Sequence, residues 1–150
     1  MESKIISIQE ANRMLPLLRQ IVVDIMTHWE QIISKRTELE CLEKEGGEAP
    51  PPPVRGRESD RVRGIGDLKA ELNYLIDKIN NYIREVEELG CFVEEFRRGI
   101  INFPSLFRGR KVFLCWKPDE GDVTHWHELD ETFKDRVRIR DVAEFLYQRP

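Results

Sequence analysis

His125 and His127 stand two residues apart in Asp122–Leu129, a stretch that alternates like a β-strand. A strand sends residues i and i+2 to one face, so the pair is arranged to offer two imidazoles to one metal ion. Zinc accepts such nitrogens at about 2.0–2.1 Å. Further ligands are in reach from Glu120 across a turn, from Cys115 on a neighbouring strand, or from Glu10 near the start of the chain. The same pair between Val123 and Leu129 also reads as two packing histidines with satisfied ring nitrogens. Cys115 with His125 or His127 spells thiolate and base on paper. Leu114 and Trp116 flank that cysteine, however, and an inert buried thiol is the simpler reading. Trp116 and Trp126 read as core, with an aromatic wall for a small ligand as the alternative. Glu94 and Glu95 beside Arg97 and Arg98, like Arg108 with Arg110 and Lys111, read as solvated charge. No phosphate loop, dinucleotide fingerprint, HExxH or GxSxG occurs, which leaves the common cofactor enzymes without support.

These residues fall in a period-two region that begins at Cys91. Phe92, Val93 and Phe96 suggest a short strand, followed by Ile100–Phe103, Lys111–Lys117 and Asp122–Leu129. The turn Pro118-Asp119-Glu120-Gly121 makes the last two a hairpin, and Pro104 puts its strand at an edge or a bulge. A sheet over residues 91–129 is expected. The tail 141–148 reads as a short amphipathic helix capped by Asp141.

The rest of the chain is helical in pattern. Ser7 and Glu10 form a capping box. After them Ala11, Leu15, Leu18, Val22, Ile25, Trp29, Ile32 and Leu39 step alternately by four and three, with Arg36 the one break. This predicts helix one over 8–44, with Pro16 a candidate kink. Residues 46–66, with four prolines, several glycines and four arginines, read as a linker and form the only net-positive segment. Leu68, Leu72, Leu75, Ile79, Tyr82, Val86 and Leu89 repeat the stepping. They predict helix two over 67–89, with Asp67 as N-cap and Gly90 just past the end. Two such helices make an antiparallel hairpin. Helix two is the shorter, so the first turns of helix one should overhang and pack on the aromatic segment.

The chain has 150 residues, enough for one domain with a real core. A formal net charge of −4 makes nucleic acid an unlikely partner for the surface as a whole. No apolar run is long enough for a membrane, and MESKIISIQE has no signal-peptide pattern. Three scattered cysteines without a CxxC point to reduced thiols in a cytoplasm.

Taken together, EANRMLPLL (Glu10–Leu18), GCFVEEFRRGIINFP (Gly90–Pro104), VFLCWKPDE (Val112–Glu120), WHEL (Trp126–Leu129) and the Phe133/Arg136 pair resemble a bacterial domain-of-unknown-function family, number 2203. Cys115, Trp116, Glu120, Trp126, His127, Phe133 and Arg136 fit that family's pattern. The resemblance implies an acid where this chain has Asn102, and glycines where it has Asp119, Thr132 and Asp135. It makes His125 optional, supports the fold reading and the weight given to the aromatic segment, and implies no substrate.

The expected fold is α+β: a long antiparallel helical hairpin on a small antiparallel sheet, with a short C-terminal helix. The favoured function is a cytoplasmic interaction or small-ligand-binding protein, self-associating as a homodimer. One sheet face is expected to carry Trp116, Glu120, Trp126, His127 and Arg136. Two alternatives are a metal enzyme, such as a hydrolase, with zinc on His127, Glu120 and either His125 or Glu10, and an RNA- or ribosome-associated factor using the linker arginines.

Overall fold

The computed structural model describes residues 4–45 and 57–145. The fold is α+β, with two long helices followed by an antiparallel sheet. The chain divides into two compact units, Met1–Met26 with Asn81–Pro150, and Thr27–Asn80.

Helix α1 spans Ile8–Glu45. Its start is the expected cap: the Glu10 amide donates to Ser7 Oγ at 3.1 Å. The helix continues through Pro16, whose side is exposed, so the carbonyl left without a donor is on the solvated face. Helix α2 spans Arg57–Glu88 and so begins ten residues earlier than the sequence pattern predicts. Asp67 is therefore interior and not a cap. Glycine costs a helix only about 1 kcal/mol against alanine, and Arg-Glu-rich surroundings favour the helix enough to carry Gly64 and Gly66. Arg61 and Arg63 thus lie on a helix, and residues 46–56 of the expected linker lie outside the described residues. Gly90, at φ +97°, ends α2 by donating to the Glu87 carbonyl at 2.9 Å.

Within Thr27–Asn80 the helices are antiparallel. Lys35 pairs with Glu71, Lys69 lies 3.9 Å from Glu43, and a Cβ on Gly64 would stand 3.7 Å from Leu42 Cδ1. Ile32, Leu68, Leu72, Leu75 and Ile79 are buried along the seam.

The other unit holds a five-stranded meander: β1 (Phe92–Glu95), β2 (Ile100–Phe107), β3 (Arg110–Trp116), β4 (His125–His127) and β5 (Val137–Arg138). The sheet therefore extends past residue 129. Strand β2 continues through Pro104 to Phe107. Pro104 is tolerated because β1 leaves β2 at the Phe92–Asn102 pair, so the missing N–H falls on an open edge; there its carbonyl accepts from Ile6 N at 2.7 Å. The β2–β3 turn places Arg108 at φ +49° and Gly109 at φ +85°. Arg108 is held there by Glu144, whose carbonyl accepts the Arg108 amide at 2.9 Å and whose carboxylate accepts Arg108 Nε at 2.6 Å.

One sheet face (Ile101, Phe103, Val112, Leu114, Trp116) packs on Ala11, Leu15, Leu18, Val22 and Ile25 of α1. The start of α1 thus meets the aromatic segment, as the helix lengths predict. The tail forms a 3-10 turn, Val142–Phe145, where a helix over 141–148 is expected; residues 146–150 lie outside the described ones. Among the described residues no helix is long and apolar enough to cross a membrane.

Candidate functional site

Alternation along the strands sorts the candidate residues onto two faces. Trp126 and His127 are neighbours on β4 and point opposite ways. A single face carrying Trp116, Trp126 and His127 is therefore not what the chain builds. Trp116 is fully buried on the helix side, its indole N–H donating to the Gly121 carbonyl at 2.9 Å, with Arg19 above its ring. Trp126, on the same side, stacks on Phe107 at 4.5 Å and meets Phe145 edge-on. Both tryptophans are packing residues.

The opposite face carries Glu94, Asn102, Phe113, Cys115, His125 and His127. His127 is 1% exposed. Its Nδ1 donates to the Glu128 carbonyl at 2.8 Å, while Nε2 faces Asn102 Oδ1 at 3.2 Å and Glu94 Oε1 at 3.3 Å. Asn102 is oriented by its own Nδ2, which donates to Glu94 Oε1 at 2.8 Å; Glu94 Oε2 accepts the Phe133 amide at 3.0 Å. Asn102 can donate to Glu94, which an acid at this position could not do when ionised.

Glu94 stands two residues from Phe92 and so shares its face, at a point where the register against β2 shifts between Val93 and Glu95. Reading it as solvated charge is thereby corrected. The one sequence signal was its place in the Phe92–Phe96 alternation.

A second cluster gathers at the 117–120 turn. Arg136 forks onto Glu120, Nη1 to Oε1 and Nη2 to Oε2, both at 2.8 Å. The Lys117 amide donates to Glu120 Oε1 at 3.0 Å, and Arg19 donates to the Glu120 carbonyl at 3.0 Å. Burial works against ionising Glu120, yet the bonds from Arg136 and Lys117 hold its carboxyl below the usual range. Arg136 lies 4.1 Å over the Phe133 ring. His125 Nδ1 is 3.8 Å from Glu120 Oε2 and 2.9 Å from Thr124 Oγ1. Burial and the nearby Arg136 charge lower the His125 pKa, with Glu120 opposing.

His125, Glu120 and Arg136 are thus brought together, while His127 belongs to the Glu94–Asn102 group. Among the described residues no three His, Cys, Asp or Glu side chains are placed to hold one metal ion. Zinc on His125, His127 and Glu120 does not fit this arrangement, because both ring nitrogens of His127 already face protein acceptors. Glu10 lies in the first turn of α1, where its amide donates to the Ser7 hydroxyl. Cys115 and Cys91 are buried thiols whose pKa burial pushes up to about 12, so neither is a ready nucleophile.

Beside the His127 group lies an open groove of about 710 Å³. Phe92, Pro104, Val112, Phe113 and Leu129 form its apolar lining, with Lys4 and Lys111 on the rim alongside Glu87 and Glu88. Phe113 links groove and triad: it packs edge-on against Phe92 at 5.1 Å and His127 at 5.7 Å. Ser105 borders the groove and carries a buried hydroxyl without a hydrogen-bond partner.

Residues 4–139 match the family model described as "Uncharacterized conserved protein (DUF2203)". Neither the curated proteins nor the solved structures contain a match to the chain.

Proposed function

The chain belongs to the DUF2203 family, and from that premise we propose that it is a cytoplasmic, non-catalytic binding protein whose small ligand sits in the Phe92–Phe113 groove. The observation that carries this reading is the contrast between two neighbouring surfaces. Side chains with chemistry to offer (His127, Glu94, Glu120, Arg136) are turned toward each other and satisfied, and Cys91 and Cys115 are buried. The open concavity next to them is apolar, of ordinary ligand-pocket size, and rimmed by charges of both signs. Such a site suits an amphipathic small molecule, with an aromatic or aliphatic body against Phe92 and Phe113. Three free cysteines, one of them exposed, fit a reducing compartment. Self-association through the helical hairpin belongs to the same proposal.

The test is a fragment screen followed by protein-observed NMR on wild type, Phe113→Ala and Ser105→Ala. Hits should move the amides of Phe92, Val112, Phe113 and Leu129, and Phe113→Ala should weaken them at least tenfold. Ser105→Ala, which changes a hydroxyl buried on the helix side of the sheet, should leave the hits unchanged and serves as the control. Hits gathered around Glu120 and Arg136, or turnover of any substrate abolished by His127→Gln, would overturn the proposal.

A further inference from the structure

The hairpin of Thr27–Asn80 is not equally finished on its two flanks. In a four-three seam each helix has one row beside its a positions and another beside its d positions. Counting from the seam, Lys35, Leu42, Gly64, Glu71 and Lys78 fall beside the d positions. The Lys35–Glu71 pair and the Leu42–Gly64 approach show that these rows of the two antiparallel helices share one flank. The Lys35–Glu71 ion pair bridges the helices on that flank, and within α2 Lys78 lies 5.5 Å over the Tyr74 ring.

The rows beside the a positions must then share the other flank. On α1 this row carries Ile33 and Glu40; on α2 it carries Val62, Lys69 and Ile76. Four large apolar side chains of this unit are exposed among the described residues, and three of them, Ile33 (49%), Val62 (59%) and Ile76 (44%), lie in these two rows. A two-helix seam needs only its a and d positions. A third apolar row marks a helix that packs on more than one neighbour, as in a four-helix bundle.

We infer that this flank is where a second copy of the chain docks, completing an antiparallel four-helix bundle about a two-fold axis parallel to the helices. Charge selects both occupant and orientation. The α1 row carries one acid, Glu40, and no base; the α2 row carries one base, Lys69, and no acid. Lys69 reaches Glu43 of its own chain only at 3.9 Å, with both side chains more than half exposed, so its ammonium stays open to an acid on a facing copy. A two-fold that lays α1 of one copy over α2 of the other sets each acidic row against a basic one, twice. Laying α1 over α1 would oppose acid to acid. A same-chain surface that complements itself in this way is the requirement of an isologous dimer. The footprint, roughly 19 helical residues long and two helices wide, is on the order of 500 Å² per copy. That is below the ~800 Å² of a standard interface and of the size of a weak, reversible contact.

The inference rests on the self-association proposed above, and the experiment separates the two. Sedimentation equilibrium under reducing conditions, so that exposed Cys41 cannot cross-link copies, is run over 1–500 µM on wild type, Glu40→Lys, Lys69→Glu and an equimolar mixture of the two variants. Wild type should dimerise, and each variant alone should weaken at least fivefold. The mixture should recover or exceed wild-type affinity, since each rebuilt contact joins Lys to Glu across copies. Unchanged circular dichroism confirms that these exposed substitutions leave the fold intact. A wild type that stays monomeric throughout overturns self-association itself. A dimer indifferent to both substitutions, or a mixture no tighter than either variant alone, overturns this face and leaves self-association standing.

Discussion

Arg136 and Glu120 meet in a two-point fork, each guanidinium Nη on its own carboxylate oxygen at 2.8 Å. The pair joins the segment after β4 to the turn after β3, and through Arg19 the same turn is tied to α1. Their side chains are 12% and 18% exposed, so the pair is better shielded than a surface bridge. Arg136→Ala should cost about 2 kcal/mol in urea unfolding, partly from leaving Glu120 unpaired. Arg136→Lys should recover only part, because an ammonium cannot fork. A double Arg136→Ala/Glu120→Ala variant whose loss equals the sum of the single losses would contradict coupling between them.

The same cluster sets an acid sensitivity. Against the opposing effect of burial, the Arg136 and Lys117 bonds lower the folded-state pKa of Glu120, while burial and the Arg136 charge lower that of His125. For both groups the unfolded chain binds more protons on acidification. Stability should therefore hold above about pH 6.5, decline below it as unfolded His125 takes its proton, and decline again through the carboxylate range. Melting temperature against pH should show both steps. His125→Asn should flatten the upper one, and Glu120→Gln part of the lower.

Asn102 is the only member of the His127 triad whose amide both donates and accepts. Asn102→Asp should destabilise the protein by roughly 2 kcal/mol, as Glu94 loses a donor and gains a neighbouring acid. His127→Ala should cost about 3 kcal/mol through lost packing and unpaired Glu94. Elemental analysis of protein purified without chelator should find no stoichiometric zinc in wild type or variant. Zinc present in the first and lost in the second would refute the arrangement described here.

Glycine positions offer a graded test. A Cβ at Gly99 would run into Val22 Cγ1 and lie 2.9 Å from Met26 Sδ, at φ +67°. Gly109 has φ +85° but no atom within 4 Å, and Gly121 has neither constraint. Substitution by alanine should cost more than about 3 kcal/mol at Gly99, about 1 kcal/mol at Gly109, and little at Gly121. Chemical denaturation should rank them in that order.

Thiol accessibility gives a last prediction. Cys41 is exposed, whereas Cys91 and Cys115 are buried with pKa values near about 12. A thiol reagent at neutral pH should label one cysteine quickly in the native protein and three after unfolding. Fast native labelling of Cys115 would show that its face opens.

Features set by neighbours in sequence are legible in the sequence itself. The α1 cap at Ser7, the seam from Ala11 to Leu39, the stop at Gly90 and the turn at 118–121 each depend on a few consecutive residues. The contact of α1's first turns with the aromatic segment followed from helix lengths alone, and Asn12 Oδ1 accepting from Val123 N at 2.8 Å is one of its bonds. What stayed hidden depends on pairing. Strand β5 is two residues held by β4, too short for any period. Glu94 takes its role from partners distant in sequence, the Asn102 amide and the Phe133 N–H. The early start of α2 escaped because Gly64 and Gly66 read as breakers. Grouping Trp126 with His127 ignored the strand's own alternation.

The unit that holds the sheet is assembled from both ends of the chain, residues up to Met26 and from Asn81 onward. During synthesis the apolar stripe Ala11–Ile25 therefore leaves the ribosome long before the strands that cover it. At roughly 5–20 residues per second, that interval lasts several seconds. The nascent protein spends it with its most hydrophobic helix face bare, which makes the first helix a natural client for a chaperone that grips apolar segments.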